Sequence, residues 1–199
     1  MGAIESIFRH AANPVAVMTA QNRVFNVGPA SISTTAAGTT TQANTTPTWL
    51  LDIPSGITCI PLLVSLAQTG TVAGGAITVI MEVDNADRYT SGGAAMTVLN
   101  ARTDGPALPS SGGVAPVFYV RSAAIAATDA YGVQIWAPVV GPDVSSAEGA
   151  ITELVWTPPM GAPEYLVGPA ALLINTNAGT TAPTWNYAFK IAAFLTTEL

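Results

Sequence analysis

Positive charge is nearly missing from this 199-residue chain: Lys190 is its single lysine, and with five arginines and twelve carboxylates the ionic residues reach only 9%. Soluble domains usually carry about a quarter. Cysteine and histidine occur once each, as Cys59 and His10, so a disulfide within the chain, a multi-cysteine metal site and a His-rich zinc site are all excluded. Aromatic residues make up 7%. No Ser-His-Asp, Cys-His or phosphate-loop arrangement can be assembled from this inventory.

A long hydrophobic run is also lacking. The longest uncharged stretch, Ile53 to Met81, is broken by Pro54, Gly56, Pro61, Gly70 and the pair Gly74 and Gly75. An apolar helix of ~20 residues does not survive such breaks, so no membrane span is expected. The first residues lack a basic region followed by an apolar core, which argues against a signal peptide. Gly2 and Ser6 match the myristoylation pattern. Ile4, Ile7 and Phe8 fall at helical spacing instead, and the favoured reading of residues 1–14 is an arm that docks on a neighbouring surface.

What remains is apolar: hydrophobic residues are 49% and mean hydropathy is +0.43. A compact 20.2 kDa monomer would expose roughly 8,800 Å². Eighteen formal charges then leave one per ~500 Å² of surface. With a membrane set aside, the surface divides into a neutral polar coat, supplied in part by 25 threonines, and faces covered by partners.

Extended segments alternate with Gly, Pro, Asn and Ser from end to end, the mark of an all-β domain. The clearest strand is the last, with Trp185, Tyr187, Phe189, Ile191 and Ala193 on one side and Asn186, Ala188, Lys190 and Ala192 on the other. Further strands are expected over Val15 to Thr19, Arg23 to Val27, Thr48 to Ile53, Ile57 to Leu66, Ala76 to Val83, Ala94 to Arg102, Val117 to Arg121, Gly132 to Val139, Ile151 to Thr157 and Tyr165 to Ile174. They suit one antiparallel β-sandwich over residues 15–199. Pro61, Pro138 and Pro169 fall in or beside these runs and require edges, bends or bulges. Ser31 to Thr46 and Thr103 to Pro116 are long loops.

Chemistry-bearing residues are few. Glu82, Asp84 and Asp87 with Asn85 form the one local carboxylate cluster, of a type that could hold calcium through oxygen ligands. The spacing lacks the EF-hand glycine and terminal glutamate, and a hairpin loop with Arg88 pairing one carboxylate is the favoured reading. Asp129, Asp143, Glu148 and Glu153 are scattered, and an enzyme role and a cofactor are not expected. Arg9, Arg23, Arg88, Arg102 and Arg121 are dispersed at a net charge of −6, so no direct nucleic-acid contact is expected. Trp49, Trp136, Trp156 and Trp185 are glycan-stacking candidates by type, but their strand positions favour the core. Asn44-Thr45-Thr46 is a formal glycosylation acceptor in a Thr-rich loop.

The run Val167-Gly168-Pro169-Ala170-Ala171-Leu172-Leu173-Ile174, the turn Asn177 to Thr181 and the strand entry Pro183-Thr184-Trp185 resemble the jelly-roll virion proteins of bacteriophages and related viruses, including capsid, decoration and head-fibre proteins. The resemblance implies a jelly-roll sandwich that assembles as a homotrimer with other capsid proteins in the virion. The missing basic arm moves that expectation to the outer surface. The alternative is a glycan- or receptor-binding sandwich module of a tail fibre or extracellular protein, which needs two aromatics on one exposed loop face.

Overall fold

A computed structural model describes residues 13–29, 31, 35–69, 76–122, 124–128, 132–140, 153–159 and 163–199. The arm residues Ile4, Ile7 and Phe8 lie outside the described residues, as do Asp129, Asp143 and Glu148. The chain is mostly β, with antiparallel sheets. Among the described residues an α-helix, α1 (Pro14–Ala20), is followed by sixteen strands: β1 (Val24–Gly28), β2 (Ala36–Ala37), β3 (Trp49–Ile53), β4 (Ile57–Thr69), β5 (Ile77–Asp84), β6 (Tyr89–Ser91), β7 (Ala94–Ala95) and β8 (Thr97–Asn100) in the first half. The second half holds β9 (Val117–Val120), β10 (Ala126–Ala127), β11 (Val133–Trp136), β12 (Val139–Val140), β13 (Glu153–Trp156), β14 (Leu166–Val167), β15 (Ala170–Ala178) and β16 (Thr184–Leu195).

The strand expected over Val15 to Thr19 is α1 instead. Asn13 caps the helix by accepting from the Ala16 amide at 3.0 Å, and Pro14 sits in its first turn, where a missing N–H costs nothing. Val15 and Val17 suggest a strand by type, but local capping and the burial of Met18 beneath Ile60, Leu62 and Phe194 override that preference.

The first sheet runs β13-β4-β16-β1-β8, with β14 also paired to β4 and β2 to β16. The second runs β11-β5-β15-β3-β9-β7, with β12 also paired to β5. Four antiparallel pairs nest inside one another along the chain: β1 with β16, β3 with β15, β4 with β13, and β5 with β11. Members of successive pairs alternate between the two sheets. Between β5 and β11 an insertion contributes β8 to the first sheet, β7 and β9 to the second, and the separate two-stranded sheet β6-β10.

One core joins the inner faces. Phe25, Val64, Leu66, Phe189 and Ile191 of the first sheet meet Trp49, Leu51, Met81, Phe118 and Leu172 of the second. The Trp49 ring is edge-on to Tyr187 and Phe189 at 5.4 and 5.6 Å, and Phe118 stacks on Phe189 at 5.1 Å. These contacts cross between the sheets and fix their packing. The alternation expected in the last strand is present: Trp185, Tyr187, Phe189, Ile191 and Ala193 are buried, while Asn186 and Ala188 are exposed. Pro61 lies within β4, a strand paired on both sides, and the register against β16 shifts beside it, between Lys190 and Ile191. That irregularity accommodates the residue that cannot donate to the ladder. At the corner into β15, a Cβ on Gly168 would collide with the Pro54 carbonyl, so the close approach of the two chain segments requires glycine there.

Candidate functional site

The Glu82 to Arg88 segment ends β5 and begins the insertion. Along an extended strand, Glu82 and Asp84 share one face. Arg88 is 1% exposed; its Nη1 donates to Asp84 Oδ2 and its Nε to the Thr128 carbonyl, both at 2.9 Å. The Thr128 amide donates back to the Arg88 carbonyl at 2.9 Å. Arg88 therefore ties both ends of the insertion to β5, and the expected arginine–carboxylate pair is present as Arg88 with Asp84. Arg88 Nη2 and Glu82 Oε2 are buried without hydrogen-bond partners.

The carboxylates do not form a cation cage. Among the described residues no group of three His, Cys, Asp or Glu is placed to hold a metal. Asp87 turns to accept from the Tyr89 amide at 3.1 Å, and its carboxylate is close enough to that of Asp52 on β3 to act on it. Partial burial, with the nearby Asp87 carboxylate, pushes Asp52 up to about 6. Burial likewise raises Glu82 above the usual carboxylate range, against the opposing pull of Arg88. Tyr89 and Tyr119 stack face to face at 3.8 Å, and burial with the neighbouring Tyr89 raises the Tyr119 hydroxyl to about 12. Asp52, Tyr89 and Tyr119 belong to separate segments, and sequence spacing gives no signal that they meet.

Cys59 is fully buried between the sheets, and desolvation lifts its thiol well above the ordinary value, leaving it unionised and inert. Trp49, Trp156 and Trp185 are buried and Trp136 half-buried. Among the described large apolar residues that are exposed, Tyr165 is the sole aromatic. Asn44, of the formal acceptor Asn44-Thr45-Thr46, is half-buried and lies in a turn.

The surface supplies the remaining features. On the outer face of the first sheet, from β4 to β8, a depression of about 610 Å³ is lined by Asn26, Leu63, Thr97, Leu99, Ala188 and Lys190. At the edge where β11 ends the second sheet, a cleft of about 430 Å³ is lined by Asp84, Val133, Glu164, Tyr165, Val167 and Ala170. Leu99, Val133 and Val167 are 65%, 70% and 48% exposed. Among the described residues no helix is long and apolar enough to cross a membrane. No family model matches the chain, and no curated protein or solved structure is detectably similar to it.

Proposed function

We propose that the chain is a structural virion protein, a jelly-roll subunit of a capsid or its outer decoration, and that it acts by symmetric assembly. The observation that carries the reading is the nest of four antiparallel pairs distributed over two sheets. A double Greek key wound into a sandwich pairs its strands in this way, and viral capsid domains are among the users of that architecture. Fold alone does not specify a role. The assembly reading draws further support from sparse charge and from exposed apolar side chains gathered at strand edges.

In this reading the partners are other copies of the chain, in a trimer, and other capsid proteins, with the subunit on the outer surface of the virion. The working parts are its contact faces, with no catalytic group and no cofactor. The glycan-binding alternative has a single exposed aromatic, Tyr165, among the described residues. Sedimentation velocity on the purified protein tests the proposal. Trimers or larger closed assemblies are expected at micromolar concentration, and a stable monomer throughout that range contradicts it.

A further inference from the structure

We infer that copies of this chain join head to tail, with Leu99 of one copy seated in the cleft between β11 and β14 of the next and Lys190 facing Glu164. This deepens the assembly reading and rests on it. The donor surface runs over the outer face of the first sheet from β16 to its β8 edge, and the receiving cleft lies at the opposite edge of the sandwich. Leu99 is on β8, which ends the first sheet beyond β1, while β14 pairs with β4 on the far side and β11 ends the second sheet there.

The two surfaces match in chemistry. Leu99, Asn26 and Lys190 form one row across β8, β1 and β16, because Asn26 is registered with Leu99 on one side and Lys190 on the other. Two strand spacings separate Leu99 from Lys190, roughly 10 Å. The donor surface is thus an exposed leucine beside a lone cation in a shallow apolar depression. Lys190 makes no ion pair with any described residue. The receiving cleft offers Val133, Tyr165 and Val167 around its rim and the Glu164 carboxylate in its wall. Glu164 makes no ion pair with a described residue either. Leucine in an apolar cleft supplies burial, and the Lys–Glu pair at its side fixes orientation and excludes the reversed docking.

Complementary patches on opposite edges generate a heterologous contact, which closes into a ring when the rotation between copies divides a full turn. That geometry suits a trimer, whereas a face pairing with itself gives even-numbered assemblies.

The test uses two singly blocked full-length variants, Leu99→Asp and Val133→Asp. Both positions are largely exposed, so the variants should retain the β-rich circular dichroism of the parent. Each should be monomeric alone, because each lacks one half of every contact. Mixed, they should form a 1:1 dimer and stop there, since that pair has one intact contact and no means of closing. Independently, Lys190→Glu or Glu164→Lys should weaken assembly about tenfold, and the double swap should restore it to within about threefold. If the parent assembles but the mixture gives no dimer and the swap gives no rescue, this contact is wrong and the assembly reading stands. A parent that is monomeric at all concentrations removes both.

Discussion

The outer face of the second sheet carries Leu50, Ala171 and Leu173 and is roofed by Ile125 and Ala127 of the chain's own insertion. The outer face of the first sheet carries Asn26, Ser65, Ala188 and Lys190, and among the described residues its roof is α1, over one end. The roofed face sets Leu50, Ala171 and Leu173 beside the carboxylates Asp52, Glu82 and Asp84, under a cover that is part of the same molecule and always present. The open face carries small and polar side chains and the single lysine in its middle, with Leu99 and Val155 exposed on its two flanking strands. Such a surface tolerates water and still offers apolar contacts at its edges, as the proposed assembly requires.

The largest effect expected from breaking the covered side comes from Arg88. Arg88→Ala leaves Asp84 without its buried partner and unties both ends of the insertion, with an expected loss of about 4 kcal/mol in urea unfolding. Leu173→Ala removes apolar contact under the insertion and should cost about 3 kcal/mol in the same measurement. On the open face, Asn186→Ala should change stability by less than about 0.5 kcal/mol. Equal effects of Leu173→Ala and Asn186→Ala would erase the distinction between the two faces.

A smaller effect sharpens the comparison through pH. Asp52 sits at about 6 in the folded chain, above its ordinary value of 3.8, because of burial and the adjacent Asp87. A raised carboxyl favours the folded state when protonated. Its contribution is therefore complete below about pH 4 and is lost as pH rises through about 6. A rise from 3.8 to about 6 corresponds to roughly 3 kcal/mol, and partial exposure of the group reduces the expected contribution to about 1 kcal/mol. Glu82 acts in the same direction. Asp52→Asn should flatten the dependence of melting temperature on pH between 4 and 7, and an unchanged profile would remove Asp52 from the account.

Much of the strand inventory was legible because alternation is a local property. In β16, the side chains from Trp185 to Ala193 announce both a strand and its buried face. The single strand expected over Tyr165 to Ile174 is instead divided at Gly168 and Pro169 into β14 and β15. Legibility failed where tertiary context decides. The sequence Pro14 to Ala20 has strand-like composition, and its helix depends on the Asn13 cap and on a place to bury Met18. The strands β2, β6 and β10 span two or three residues each, too few to show a period.

Arg88 pairing a carboxylate could be read from its neighbours, but Asp52 joining that group could not, since β3 and β5 come together only through β15. The same limit hid the proposed contact. Alternation gives the face on which Leu99 or Val133 lies, but not that β8 and β11 end their sheets, and it is edge position that leaves these side chains exposed.

Hydroxyl-radical footprinting of assembled against dilute protein tests the central claim most directly, because it reads both faces in one experiment. The account predicts protection on assembly at Leu99, Val133, Tyr165 and Val167, with the insertion strands β6 and β10 unchanged. Protection confined to the insertion, with Leu99 and Val133 equally reactive in both states, would contradict it.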